Sequence, residues 1–228
     1  MQQLTLDVAP LAQPSLRNFV EGGNGMALSA LRCLLEGSGM ERRLCLWGGP
    51  GSGKSHLLRA CADAASGLFV ACKEHAVALP SDASAALLAL DDIDGLGADE
   101  QVALFNLVNR WSNAENAGAL LMSCSRPPAA AGLRADLATR VAQGLVLEVA
   151  ALTDADKAAA LQAHANERGI ELSADVMHYL LTHMPRDLRA LIAVLDGLDR
   201  FSLQTHRPIT VPLLREVLQT PRSTGGGV

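Results

Sequence analysis

The sequence predicts an α/β domain with a parallel β-sheet covered on both faces by helices, followed by a small all-α domain. Two observations lead to this prediction. Short apolar runs alternate with segments of helical periodicity up to about residue 150, and only helical patterns follow. We therefore expect a three-layer domain over residues 15–150 and a helical domain over 151–219. Residues 1–14 and 220–228 are expected to form a flexible N-terminal segment and a disordered tail.

Five apolar runs of strand length are the candidate strands of the sheet. They cover residues 44–47, 68–72, 87–90, 119–124 and 145–149. Between them, two longer segments, 55–65 and 100–112, carry apolar side chains at helical spacing. Parallel strands need crossover connections, which are usually helices. The alternation therefore predicts a five-stranded parallel sheet.

Capping residues mark the helices of the second domain. Thr153 or Asp154 can cap a first helix, and Ser173 can cap a second. A third helix is predicted over residues 186–203, and Pro212 suits the first turn of a fourth.

Composition limits the classes of function that the chain can have. It has 228 residues, of which 49% are hydrophobic and 3% aromatic, with a formal net charge of −5. So few aromatic residues leave little for base stacking, and the negative charge argues against DNA as the main partner. Five scattered cysteines without a C-x-x-C pair are interpreted as reduced core residues. With neither a signal-peptide pattern nor an apolar stretch of bilayer length, the expected location is the cytoplasm.

A glycine-rich loop is the most specific motif of the sequence. It reads Gly48-Gly49-Pro50-Gly51-Ser52-Gly53-Lys54-Ser55 and lies between a predicted strand and a predicted helix, which is the context that a phosphate-binding loop requires. Its glycines let backbone N–H groups approach phosphate oxygens, and the helix N-terminus adds its positive dipole end. Lys54 would reach the β- and γ-phosphates, and Ser55 would ligate Mg²⁺. We predict a site for a purine nucleoside di- or triphosphate with Mg²⁺; an ordinary strand–helix turn is the alternative.

Two adjacent carboxylates, Asp91 and Asp92, follow the apolar run of the third predicted strand. We expect this strand to lie beside the first one, with its acidic end facing the metal. Asp91 would hold Mg²⁺ through water, and Asp92 would polarise an attacking water. An Asp-Asp turn that caps the next element is the alternative.

Together these residues resemble the AAA+ ATPases of the DnaA type, and within them the Hda subgroup of replication regulators. The resemblance covers about residues 1–220 and includes residues 19–24, which look like the segment that lies over the adenine in this family. It implies an AAA+ P-loop sandwich followed by a helical lid, with ADP or ATP and Mg²⁺ bound. The residues that it places around the nucleotide are Phe19, Val20, Gly49, Pro50, Gly51, Ser52, Gly53, Lys54, Ser55, His56 and Arg189.

Two arginines and a serine match further motifs of the family. Arg140 is similar to the box VII arginine, which acts as a finger on a neighbouring subunit's nucleotide, and Arg189 looks like sensor 2 of the lid. A solvated surface arginine is the alternative at both positions. Ser125 stands at the sensor-1 position, where DnaA has an acidic residue. The resemblance therefore implies weak or no ATPase activity of the chain's own.

The two ends of the sequence carry the similarity to the Hda subgroup. DnaA continues into a DNA-reading helix-turn-helix domain, and no such pattern follows the lid here, so we expect DNA contact to be indirect or weak. At the other end, Gln3, Leu4, Leu6 and Val8 stand in a segment that looks like the peptide by which Hda docks on the β sliding clamp. Its apolar side chains would fill pockets of the clamp; a chance disordered tail is the alternative.

The resemblance implies a negative regulator of bacterial replication initiation. Such a protein binds adenine nucleotide and the DNA-loaded sliding clamp, and uses Arg140 in trans to promote hydrolysis of DnaA-bound ATP. It leaves open whether the chain forms a homo-oligomer. One alternative is a DNA-acting AAA+ ATPase, such as a helicase loader or an initiator paralogue, which would bind DNA in a salt-sensitive way. Another is an interaction scaffold with a structural nucleotide, which would show no multiple-turnover hydrolysis.

Overall fold

The computed structural model describes residues 13–39, 41–73, 79, 85–113, 118–184 and 187–219. Two compact units are present among the described residues, one within residues 13–152 and one within residues 153–219. None of the helices within these described segments is long and apolar enough to cross a membrane.

A five-stranded parallel sheet forms the centre of the first unit. Its strands are β1 Arg43–Trp47, β2 Leu68–Ala71, β3 Leu87–Asp91, β4 Ala119–Cys124 and β5 Leu145–Glu148. Their spatial order is β2-β3-β4-β1-β5, and every neighbouring pair is parallel. The prediction of a five-stranded parallel sheet is confirmed. β3 and β4 are buried at every residue, as expected for strands that are covered on both faces.

The position of β3 relative to β1 differs from the prediction. The strand that ends in Asp91 was expected beside β1, but β4 pairs with both and lies between them. That expectation was wrong because β3 and β4 both read as uniformly apolar runs, and such runs do not encode strand order. As a consequence, the end of β4 separates the Asp91–Asp92 pair from the glycine-rich loop.

Four helices of the first unit cover the sheet: α1 Gly25–Glu36, α2 Lys54–Ala64, α3 Ala98–Asn113 and α4 Ala135–Ala142. The predicted helices 55–65 and 100–112 correspond to α2 and α3, whereas α1 and α4 were not expected. The apolar spacing of α1 is helical, since it buries Ala27, Leu28, Leu31 and Leu34. Asn24 is its N-cap residue, a type preferred at this position, but the side chain makes no cap hydrogen bond.

Two apolar clusters lie on the two faces of the sheet. On one face, α1 and α2 contribute Leu28, Leu57 and Leu58 to a cluster with alternate residues of the strands. On the other, α3 and α4 contribute Leu104 and Leu137. Each fully buried leucine stabilises the fold by about 1.5–3 kcal/mol relative to an exposed one. The clusters therefore hold both helical layers against the sheet and fix the strand ends that carry the candidate site.

The second unit consists of helices around a core of their own. They are α5 Asp154–Glu167, α6 Ala174–His183, α7 Leu188–Thr205 and α8 Val211–Gln219. Thr153 caps α5 in a reciprocal capping box with Asp156, and the Ser173 side chain accepts a hydrogen bond at the start of α6. Leucines from all four helices meet in one cluster, among them Leu161, Leu180, Leu195 and Leu214. The predicted helical domain after the α/β domain is confirmed.

Candidate functional site

The glycine-rich loop joins the end of β1 to the N-terminus of α2. A Cβ atom at Gly48 would overlap the carbonyl oxygen of Val149, so no larger residue fits there without a shift of the backbone. The Gly48 N–H donates to the carbonyl oxygen of Cys124 at 3.3 Å, which ties the loop to β4. Gly53 has φ of +100°, a left-handed conformation that favours glycine. The start of α2 therefore has a defined position at the carboxyl edge of the sheet.

The side chain of Lys54 is buried inside the loop. Its ammonium donates to the carbonyl oxygens of Gly48 at 2.8 Å and Gly49 at 3.1 Å. The Ser52 hydroxyl is also buried, and no residue in the described part of the chain hydrogen-bonds to it. The first turn of α2 holds no acidic residue, and Ser55 there is exposed. A buried ammonium, an unpaired hydroxyl and the unsatisfied N–H groups of a helix N-terminus suit a polyphosphate.

The segment before α1 packs against the same loop. The Phe19 ring lies so close to Gly53 that a Cβ at position 53 would be 2.6 Å from its Cε2. His56 Nε2 donates to the carbonyl oxygen of Ser15 at 2.9 Å, and the His56 ring lies 5.5 Å from the Phe19 ring between centroids. Val20 is half-buried beside Phe19 in the sequence. The structure thus places Phe19 and His56 next to the phosphate loop.

Asn24, at the end of this segment, has a structural role. Its side-chain amide donates to the carbonyl oxygen of Ala150 at 3.0 Å and accepts from the Ala150 N–H at 2.8 Å. It is buried, and it closes the chain after β5 against the start of α1. Within residues 19–24, Phe19 therefore lies beside the glycine-rich loop, whereas Asn24 stabilises the fold.

Ser123 joins the acidic residues of β3 to β4. Its hydroxyl donates to Asp91 Oδ1 at 2.6 Å and accepts from the Asp92 N–H at 2.7 Å. Both Asp91 and Ser123 are buried. Ser123 was not among the predicted site residues. It could have been recognised as the hydroxyl residue in an otherwise apolar run, since a buried hydroxyl needs a hydrogen-bond partner.

Two further residues hold the edge beyond β3. Lys73 Nζ lies 2.8 Å from Asp92 Oδ2, and Asp92 has a left-handed backbone with φ of +56°. Asp94 Oδ2 accepts hydrogen bonds from both the N–H and the hydroxyl of Ser125. Neither Lys73 nor Asp94 was predicted. Both pairs join residues from different strand ends, so no local sequence pattern identifies them.

The donor set at this edge suits Mg²⁺ only together with a phosphate ligand. The described residues contain no group of three or more His, Cys, Asp and Glu that could enclose a metal ion. The oxygen donors that the loop and the end of β3 offer are the hydroxyl of Ser55 and the carboxylates of Asp91 and Asp92. Mg²⁺ is usually held by one or two carboxylates together with water and substrate phosphates. A hydroxyl and two carboxylates are consistent with this coordination.

The two arginines of the predicted site lie in different units. Arg140 is exposed on α4, whose opposite side buries Leu137 and Val141, and its Nη1 donates to Gln143 Oε1 at 3.1 Å. Arg189 is the second residue of α7, and its backbone N–H donates to Asp187 Oδ1. The docking residues Gln3, Leu4, Leu6 and Val8 lie outside the described residues.

The cysteines are all free thiols in the structure. Cys45, Cys61, Cys72 and Cys124 are buried, as the interpretation of core residues requires, but Cys33 is exposed on α1 and does not belong to the core. Burial raises the pKa of Cys61 to about 12. Burial is also the main cause that raises the pKa of Cys72 to about 12, with the charge of Asp91 adding to it. These two thiols stay protonated at neutral pH and are poor metal ligands.

Two sequence matches define the family of the chain. A family model described as the Hda lid domain matches residues 154–218. An uncharacterized protein of Haemophilus influenzae is 32% identical over 234 residues, which cover 95% of this chain and 98% of that protein.

Solved structures match the fold over most of the chain. Domain III of the Thermotoga maritima replication initiation protein DnaA superposes with a TM-score of 0.69 at 21% identity, covering 92% of this chain and 97% of that one. AMPPCP-bound DnaA from Aquifex aeolicus gives a TM-score of 0.65 at 21% identity, covering 86% of this chain and 70% of that one. With the lid match and the relative above, the chain belongs to the DnaA-type AAA+ family and has the lid domain of its Hda members.

Proposed function

We propose that this chain binds an adenine nucleotide and, in that form, restrains replication initiation by promoting hydrolysis of DnaA-bound ATP. The observation that carries the proposal is the exposure of Arg140 on α4, in the same unit as a complete phosphate-binding loop. An exposed guanidinium on a short helix is available to a second protein, whereas Lys54 is enclosed in the chain's own loop.

Adenine nucleotide is the ligand that fits the loop and its surroundings. Lys54 and the N–H groups at the start of α2 would hold the phosphates, and Ser55 with Asp91 would hold Mg²⁺ between them. Bound there, Mg²⁺ would neutralise phosphate charge. Phe19 would close the loop from the side of α1. The AMPPCP in the Aquifex DnaA structure supports an adenine base, since that protein shares the fold.

The action on DnaA would be supplied in trans. A guanidinium placed against the phosphates of an ATP bound to DnaA stabilises the charge that develops in the transition state, and such fingers accelerate hydrolysis by roughly 10³–10⁵-fold. Arg140 is the candidate finger of this chain. Its contact with Gln143 is an exposed hydrogen bond between neighbouring turns, which a partner can replace at little cost.

Residues 3–8 would bring the protein to the sliding clamp on DNA. Residues 3–8 alternate polar and apolar side chains, which suits an extended peptide that contributes Gln3, Leu4, Leu6 and Val8 to apolar pockets. Docking would concentrate the protein where DnaA is inactivated, because tethering converts a second binding event into an intramolecular one.

The test is a reconstituted assay with DnaA-bound ATP, clamp loaded on DNA, and this protein. The wild type should accelerate hydrolysis, and Arg140→Ala should bind nucleotide and clamp normally but stimulate no hydrolysis. Arg134→Ala is the matched control, since Arg134 is a second exposed arginine near α4 that pairs with Asp136. Full stimulation by Arg140→Ala would disprove the trans mechanism, and loss of clamp retention with Leu4→Ala/Leu6→Ala would support the docking step.

A further inference from the structure

The side chain of Gln101 joins two segments of the first unit that are far apart in the sequence. Gln101 is buried near the start of α3. Its Nε2 donates to the carbonyl oxygen of Leu96 at 3.0 Å, and its Oε1 accepts from the backbone N–H of Arg134 at 2.8 Å. A carbonyl oxygen can only accept and an N–H can only donate, so these two contacts fix the orientation of the amide. Both polar ends of the side chain are therefore engaged.

Leu96, at one end of this connection, lies shortly after the acidic end of β3. The short 3₁₀ turn Ile93–Gly95 begins directly after Asp92, and the buried Leu96 follows it. Gln101 thus bonds to the backbone four positions after Asp92. The end of β3 is itself held to β4 through Ser123. The connection therefore starts from a segment with a defined position.

The other end of the connection is the start of α4, the helix that carries Arg140. Arg134 is the N-cap residue of α4, and its side chain makes no cap hydrogen bond. Among the described residues, every other hydrogen bond of α4 stays within residues 134–144. Gln101 therefore supplies the hydrogen bond that attaches α4 to another part of the fold.

Apolar contacts alone define the position of α4 less closely. Leu137 and Val141 pack into the cluster that also contains Leu104 of α3. Such contacts are non-directional, so they permit small shifts of this helix of 8 residues along or about its axis. A hydrogen bond has narrow limits of distance and angle, and it sets where α4 begins. Arg140 follows Arg134 by six residues, which is about 9 Å along the helix.

We infer that Gln101 is a positioning residue for Arg140, because it fixes the start of α4 and thereby the direction in which the guanidinium meets the ATP of DnaA. The inference rests on the proposed function, in which Arg140 acts in trans. A misplacement of about 1 Å can cost a catalytic group about 100-fold in rate. An arginine on a helix that has lost this attachment still reaches its partner but stabilises the transition state less. Gln101 acts only through α4, since both ends of its amide are bonded within the chain.

Three variants separate the two hydrogen bonds of Gln101. Gln101→Met has a similar length and loses both. Gln101→Glu keeps an oxygen for the Arg134 N–H but places its other oxygen against the Leu96 carbonyl, so it retains the bond to α4 and loses the other. Arg134→Pro removes the N–H, and the φ of −55° at this position suits proline. Arg134→Ala keeps the N–H and is the matched control.

The test measures hydrolysis of DnaA-bound ATP, with clamp loaded on DNA, over a range of concentrations of the full chain. Gln101→Met and Arg134→Pro should lower the rate at saturation about tenfold or more. Their half-saturating concentration and their retention on the clamp should stay at the wild-type values. Gln101→Glu and Arg134→Ala should keep about half of the wild-type rate or more. Gln162→Met, which removes an exposed amide that bonds to Asn166 in the other unit, should leave the rate unchanged.

Thermal unfolding of each variant distinguishes positioning from stability. Gln101→Met and Gln101→Glu should both lower the Tm, because each loses the buried hydrogen bond to Leu96. Only Gln101→Met should lose stimulation of hydrolysis. A loss of stimulation in both variants, in proportion to the fall in Tm, would make Gln101 a purely structural residue and overturn the inference.

Wild-type rates at saturation for both Gln101→Met and Arg134→Pro would equally overturn it. If Gln101→Met does not fold, the comparison of Arg134→Pro with Arg134→Ala decides, because only the first of these lacks the N–H. If the wild type itself does not stimulate hydrolysis, the proposed function is wrong and the inference fails with it. Stimulation by the wild type without any defect in Arg134→Pro would leave the proposed function standing and exclude the positioning role.

Discussion

Ser123 donates a 2.6 Å hydrogen bond to Asp91, and both side chains are buried at the carboxyl ends of adjacent strands. The pair exists because β4 lies between β1 and β3. A buried carboxylate is costly unless its oxygens accept hydrogen bonds, and Ser123 supplies one of them. Ser123 also accepts from the Asp92 N–H, so one hydroxyl sets the position of both acidic residues.

Ser123→Ala should therefore weaken both the fold and the site. Loss of a hydrogen bond to a buried charged group costs about 1.5–3 kcal/mol of unfolding free energy. We expect a lower Tm without ligand and a smaller stabilisation by Mg²⁺ with ADP. Ser38→Ala is the control for stability, because Ser38 is exposed and its hydroxyl lies 3.4 Å from the carbonyl oxygen of Cys33. An unchanged Tm for Ser123→Ala would contradict the assigned hydrogen bonds.

Lys54→Ala should remove nucleotide binding with little effect on the ligand-free fold. The ammonium donates to the loop carbonyl oxygens of Gly48 and Gly49, and these can be solvated when it is gone. A ligand at 100 times its Kd stabilises the folded state by about 2.7 kcal/mol. Wild type should show a rise in Tm with Mg²⁺ and ADP, and Lys54→Ala should show none. An equal rise in both would exclude this loop as the binding site.

Gly48 and Gly49 are neighbours with opposite tolerance to a side chain. A methyl group at Gly48 would overlap the Val149 carbonyl oxygen, whereas nothing lies within 4 Å of a Cβ at Gly49. Gly48→Ala should destabilise the protein by about 2 kcal/mol or more, and Gly49→Ala by less than about 1 kcal/mol. Denaturant unfolding of both variants measures the difference. Nucleotide binding by Gly49→Ala then reports on the loop separately from the fold.

Asn24→Ala tests the structural role of this residue. It removes two part-buried hydrogen bonds to the backbone of Ala150, which should cost about 1–3 kcal/mol. Asn18→Ala is the control, since Asn18 is exposed in the same segment. A variant that loses nucleotide affinity but keeps its unfolding free energy would place Asn24 in the binding site instead.

The parts of the fold that were predicted are those encoded by local patterns. The apolar run of β3 and the caps Thr153 and Ser173 are visible in adjacent residues, and the structure confirms them. The glycine-rich loop is recognisable for the same reason, because all of its motif residues stand within the consecutive positions 48–55. The position of β3 beside β1 was predicted wrongly, since strand order depends on packing between helices and sheet that no single run contains.

The candidate site shows the same limit. Asp91 and Asp92 stand out as charges at the end of an apolar run. Their partners come from the ends of other strands. Ser123 lies 32 positions after Asp91, and Lys73 lies 19 positions before Asp92. Contacts of this kind follow only from the sheet topology, so they could not be derived before β3 and β4 were known to be neighbours.

The capping box of α5 gives the chain a pH-dependent contribution to stability. Hydrogen bonds from the hydroxyl and then the backbone N–H of Thr153 hold the pKa of Asp156 below its usual value of 3.8. A carboxyl whose folded pKa is depressed stabilises the fold above the unfolded pKa, and this contribution is lost as the pH falls through the folded pKa.

Asp156→Asn should lower the Tm at pH 7, and the difference in Tm from wild type should shrink as the pH falls below 3.8. Asp175→Asn is the matched control, because Asp175 lies in the first turn of α6, where the cap Ser173 bonds to Val176 instead. If the difference in Tm between wild type and Asp156→Asn is the same at pH 7 and at acid pH, the negative charge of Asp156 does not contribute to stability.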